Sequence, residues 1–112
     1  NPGNTVISVT EQKIRHNWTF EHSILNDYGA NPGSDTIHGQ AGDYYDFHTN
    51  NLAYSFWNTN YDTVSYQVLG ASSMLYGGDT MVITKLDASQ FIFKKVVKSG
   101  TTDYENVISL SK

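Results

Sequence analysis

Residues Asp43–Leu69 read DYYDFHTNNLAYSFWNTNYDTVSYQVL, and the alternation inside that run decides the fold. Tyr45 and Phe47 share one face of Asp43–Thr49. Leu52, Tyr54 and Phe56 share a face of the next segment, and Val64, Tyr66 and Val68 a face of Thr63–Leu69. A period of two puts every second side chain on the same side of a strand. Asn50-Asn51 and Asn58-Thr59-Asn60 separate the segments with residues that tolerate turn geometry. Three amphipathic strands joined by short turns predict an antiparallel meander, with each greasy face in need of cover.

The same pattern extends outward in both directions. Trp18, Phe20, His22 and Ile24 alternate with Thr19, Glu21, Ser23 and Leu25, which predicts a first strand from Asn17. Downstream, Ser72–Tyr76, Thr80–Lys85, Gln90–Lys98 and Asp103–Ser111 alternate in turn. Gly77-Gly78-Asp79 is a tight-hairpin signal. The long stretch Asn26–Gly42 is rich in Gly and Pro and carries a candidate short strand near Thr36–His38. Ser8-Val9-Thr10-Glu11 fits a capping box, which predicts a short helix through about Arg15.

Eight strands with short connections predict an all-β, up-and-down antiparallel barrel with a short N-terminal helix. The chain reads as one domain over residues 1–112, with 1–7 as a lead-in. A β-sandwich is the alternative, and only Asn26–Gly42 is long enough to supply its return connection.

Composition excludes several classes of function. The chain has no cysteine, so disulfides and zinc-thiolate sites are impossible. Net charge is −4, with 7 Lys+Arg against 11 Asp+Glu, which is unsuited to a phosphate backbone. Lys94, Lys95 and Lys98 read as a solvated strand face. No run of eighteen apolar residues exists, so no transmembrane helix is expected. The four histidines, His16, His22, His38 and His48, have no metal-ligand spacing, and no nucleophile motif accompanies them. No cofactor, metal or catalysis is expected. A charge-poor composition rich in Tyr, Thr, Ser and Asn is usual for extracytoplasmic β proteins.

The ordered set resembles a known family. It runs from a short helix to Trp18, Asp43-Tyr44-Tyr45-Asp46-Phe47 and an Asn turn. Val64-Ser65-Tyr66-Gln67-Val68, Met81–Leu86 and Phe91-Ile92-Phe93 follow. Together these are similar to the small lipocalin-like, calycin-type domains of secreted and lipid-anchored Bacteroidetes proteins. The resemblance implies an eight-stranded calyx closed at one end by a helix, in an exported protein that is periplasmic, outer-membrane-anchored or extracellular. It departs from the lipocalin pattern at one point. The Gly-x-Trp that opens strand one in lipocalins has His16 in place of the glycine.

Two functions follow as expectations. In the first, the barrel binds a small, partly apolar molecule. Phe20, Tyr45, Phe47, Tyr54, Phe56, Tyr66 and Phe93 form its walls, and His22 orients polar groups. In the second, the rings pack the barrel solid, each burying ~150–250 Å². The domain is then a structural or protein-interaction module of a cell-envelope lipoprotein, with contacts at Asn26–Gly42, Trp57 and Tyr61.

Overall fold

The protein is described from a computed structural model covering residues 9–29, 32–97 and 103–112. Ser8 of the capping box, the lead-in, Lys98 and the turn at 99–102 lie outside the described residues. Helix α1 spans Val9–Ile14. Nine strands follow: β1 (Asn17–Asp27), β2 (Gly33–His38), β3 (Tyr44–Phe47), β4 (Leu52–Trp57), β5 (Asn60–Gly70), β6 (Ser73–Tyr76), β7 (Asp79–Leu86), β8 (Gln90–Val97) and β9 (Tyr104–Ser111).

Eight of these close into a ring in the order β1-β3-β4-β5-β6-β7-β8-β9, and β9 returns to β1. Every pairing is antiparallel and, β2 apart, follows chain order. The expected up-and-down barrel is therefore the fold, and two stacked layers are ruled out. Closure leaves the ring without an unpaired strand edge.

The ninth strand, β2, lies outside the ring. The lower part of β1 (Asn17–Thr19) pairs with β3, and its upper part (His22–Asp27) pairs with β2 along the same edge. Strands β2, β1, β9 and β8 thus flare past the upper end of the barrel, opposite α1. All six residues of β2 are exposed, so this strand buries no side chain in the core.

The handover from β2 to β3 is a tight connector. Gly39 N–H donates to the Glu21 carbonyl (2.7 Å), Phe20 N–H donates to the Asp43 carbonyl (3.0 Å), and Asp43 N–H returns to the Gln40 carbonyl. A Cβ on Gly39 would lie 1.9 Å from the Phe20 carbonyl oxygen, so only glycine fits there. At the same level the β1–β9 register shifts between Phe20 and His22. Such a bulge bends a strand and changes which face later residues occupy.

The lower end is closed by α1. Ile14 is buried, and its carbonyl accepts the Trp18 indole N–H at 2.9 Å. Arg15 Nε donates to the Tyr66 hydroxyl (3.2 Å), which donates to the His48 carbonyl (2.6 Å). Arg15 Nη2 reaches Asn51 and Glu11. These tertiary contacts tie the six described residues of the helix to the barrel.

Candidate functional site

The barrel interior holds the hydrophobic core. Trp18, Phe20, Tyr45, Phe47, Tyr66, Met74, Met81, Ile83, Phe91, Phe93, Ile108 and Leu110 all point into it and are buried. Rings from separated walls meet across the middle. Phe47 on β3 lies 5.6 Å from Phe91 and 6.5 Å from Phe93 on β8. Tyr45 lies 6.3 Å from both Tyr76 on β6 and Phe93. Trp18 meets Phe91 at 5.7 Å. These separations are ordinary aromatic contact distances.

Five of the eight residues expected to line the interior do so: Phe20, Tyr45, Phe47, Tyr66 and Phe93. Three do not. His22 pairs opposite Ser109 and His38 on the outer face, because the bulge after Phe20 reverses the alternation and sends Ser23 inward instead. Tyr54 and Phe56 also face outward. In the register, Phe47 sits opposite Ala53 and Tyr45 opposite Ser55. The large rings of β3 point into the barrel there, so β4 sets the small Ala53 and Ser55 against them. Trp57, expected outside, shares their inward face and packs, tilted, 4.7 Å from Phe20.

The upper interior is where polarity enters. Burial pushes the Tyr45 hydroxyl up to about 12; a hydrogen bond from Trp57 opposes this and the charge of Asp62 adds to it. Tyr76 is raised further, first by burial and then by the neighbouring Tyr45 and Asp62, against a hydrogen bond with Ser55. Both phenols stay neutral over the physiological range. No buried side-chain polar atom among the described residues lacks a partner. The hydroxyls are thus satisfied by the protein itself.

Two hollows stand out, and both lie outside the barrel. One, of about 540 Å³, is lined by Tyr28, Lys94, Val96 and Glu105 among others on the outer face of the flared sheet. There Glu105 accepts from Tyr28, Asn26 and Lys94. Partial desolvation opposes these bonds, which nonetheless hold its carboxyl below the usual range. The other hollow, of about 310 Å³, sits where β2 leaves the wall. Ile37 and His38 of β2, Gln40 and Asp43 of the connector, Phe56 of β4, and the turn residues Asn58 and Thr59 line it.

That second hollow opens beside an aromatic row on the outer wall. Tyr44 lies 6.4 Å from Phe56, and Phe56 lies 4.5 Å from Tyr61, which is 78% exposed. The turn beneath it is conformationally costly. Trp57 pairs with Asn60, leaving Asn58 and Thr59 as a two-residue loop with φ of 52° and 62°. Such a turn favours Asn-Gly, and a β-branched residue in that region is an outlier.

The comparisons with known proteins add no relative. No family model, curated protein or solved structure matches the chain. What stands of the resemblance is the fold: a closed, calycin-like barrel of eight antiparallel strands with a helix at one end.

Among the described residues no group of three His, Asp or Glu side chains could hold a metal. His48 and Asp46 form an exposed pair at 2.8 Å without a third partner of that kind. No described helix is long and apolar enough to cross a membrane. Hydrophobic periodicity does not single out Gln40, Asn58 and Thr59 as site residues. The available signal was Thr59 standing where a two-residue hairpin wants glycine.

Proposed function

We propose that this domain is a non-catalytic interaction module of an exported cell-envelope protein. Its barrel is a filled scaffold with no ligand inside, and its contacts are made from the outside, at the flared end. The observation that carries this reading is ring contact across the lumen, with Phe47 against Phe91 and Phe93 and Tyr45 against Tyr76. An eight-stranded barrel is just wide enough for side chains to fill it.

Strand β2 supports the outward half of the proposal. Gly39 bonds to Glu21, and hydrogen-bonding pairs alternate along an antiparallel ladder. It follows that the backbone N–H and C=O of Ser34, Thr36 and His38 point away from β1. No described strand covers them. An uncovered edge of this kind is a template for another chain.

The test has two arms. Palmitate, retinol and anilinonaphthalene sulfonate are titrated while amide resonances of Phe20, Tyr45 and Phe93 are followed; unmoved resonances are expected. Stoichiometric binding with shifts at those three residues refutes the filled scaffold. In the second arm, Thr36→Pro removes an outward N–H without breaking the β1 ladder. It should abolish capture of an envelope partner that the unaltered domain retains, at unchanged melting temperature.

A further inference from the structure

We propose that the hollow between β2 and the β4–β5 turn binds a neutral carbohydrate, one or two sugar rings in contact with Phe56 and the aromatic row beside it. The inference rests on the outward-facing reading above and names the chemistry of its site.

The lining selects the ligand class. Its volume, about 310 Å³, lies at the small end of ligand pockets. Among the described residues no lysine or arginine lines it, which disfavours phosphates, nucleotides and acidic peptides. Asp43, the one carboxylate, already accepts the Gln40 backbone N–H at 3.0 Å and is buried. A wholly apolar ligand is disfavoured as well, because the side chains of His38, Gln40, Asn58 and Thr59 would be stripped of water without replacement partners. A ring with an apolar face and a rim of hydroxyls satisfies both conditions. Its C–H face lies on Phe56, and its hydroxyls meet the amides of Gln40 and Asn58 and the hydroxyl of Thr59.

The backbone supplies an independent argument. At the neighbouring β6–β7 hairpin the chain solves the same turn with Gly77-Gly78, at φ of 62° and 89°. At β4–β5 it places Asn58-Thr59 in the same region instead, and both residues line the hollow. Non-glycine residues held at positive φ concentrate at functional sites, where the side chain is wanted despite the strain. Thr59 Oγ1 bonds only to the adjacent Asn58 carbonyl (2.6 Å), a local contact that contributes nothing to packing between strands.

The experiment is an amide-resonance titration of the domain with maltotriose, cellotriose, xylotriose, mannotriose and chitotriose, with galacturonate oligomers as the charged arm. At least one neutral trisaccharide should shift Gln40, Ala41, Asn58 and Thr59 and leave Phe91 and Phe93 unmoved. Phe56→Leu, which keeps an apolar side chain but removes the ring face, should weaken that binding at least tenfold. Thr59→Gly relaxes the turn and removes the hydroxyl, so it should also weaken binding at least tenfold while raising the melting temperature. Silence of the hollow toward every neutral sugar overturns the proposal, as does binding by Thr59→Gly equal to that of the unaltered domain. Preference for the galacturonate oligomers overturns it too. Those failures leave the filled barrel standing, whereas sugar-induced shifts at Phe91 and Phe93 would refute both.

Discussion

Replacing Gly39 by alanine tests whether the β2-to-β3 handover is as tight as its geometry implies. The added Cβ would lie 1.9 Å from the Phe20 carbonyl oxygen, 2.9 Å from its carbon and 3.1 Å from the Glu21 oxygen. All three are backbone atoms of β1, so no side chain can swing aside. Strands β1 and β2 must separate by an ångström or more. That stretches the Gly39–Glu21 bond and loads the adjoining Phe20–Asp43 bond. Two backbone hydrogen bonds are worth about 1 kcal/mol each, and overpacking costs about 1–3 kcal/mol. Reduced entropy of the unfolded chain returns roughly 0.4–1 kcal/mol. The net loss is about 3 kcal/mol.

At about 2.1 cal/mol/K per residue, a chain of 112 residues loses about 4 °C of melting temperature per kcal/mol. Gly39→Ala should therefore melt about 12 °C lower and shift the urea midpoint without changing the slope. Gly33→Ala on the same strand is the control. It has open space where the Cβ would go, and should be neutral or gain roughly 0.4–1 kcal/mol. A Gly39→Ala protein within about 0.5 kcal/mol of the original would refute the reasoning, because overpacking against fixed backbone cannot be that cheap.

Four further outcomes are expected. Phe91→Ala should cost about 3–5 kcal/mol by urea denaturation, since Phe91 is fully buried between Trp18, Phe47 and Phe93. Arg15→Ala should cost about 2 kcal/mol through its bonds to Tyr66 and Asn51, whereas Glu11→Ala, which leaves both of those bonds in place, should cost less. Stability should be full below pH 10 and fall as pH climbs from 10 toward 12. The unfolded chain releases the Tyr45 and Tyr76 protons near 10 while the folded protein keeps them. Each phenol contributes a slope of about 1.4 kcal/mol per pH unit there, and the Tyr45→Phe, Tyr76→Phe double variant should flatten it. Finally, Thr59→Gly should stabilise the domain by about 1–2 kcal/mol in thermal melts, the penalty of an L-residue in the left-handed region.

The ring of eight strands was legible because hydrophobic alternation and turn residues agree at nearly every hairpin. Tyr45-x-Phe47, Tyr66, Met81-x-Ile83 and Phe91-x-Phe93 all point where their period places them. The misplaced residues have identifiable causes. His22 follows a bulge, and the bulge depends on β1 changing partners from β3 to β2, a long-range event with no local signature. Tyr54 and Phe56 belong to a strand with apolar residues at both parities, LAYSFW. The choice between its faces is made by β3 across the ladder, where Phe47 meets Ala53 and Tyr45 meets Ser55. A rule that sends the bulkier set inward fails where the facing residues of a neighbouring strand are already large.

Those same misplacements are what move the candidate site from inside the barrel to outside it. Had Tyr54 and Phe56 pointed inward, the outer wall beside the β4–β5 turn would carry no aromatic row, and the hollow would be a polar notch. Because Tyr45 and Phe47 of β3 point into the barrel opposite Ser55 and Ala53, β4 presents Phe56 outward between Tyr44 and Tyr61. Because β1 changes partners, β2 stands clear of the ring and walls the far side with Ile37 and His38. The connector that makes this change possible also delivers Gln40 and Asp43 to the base. Packing the core and building the outer site are thus one event in the fold. A variant that turned Tyr54 and Phe56 inward would take Phe56 from the lining and dismantle the hollow.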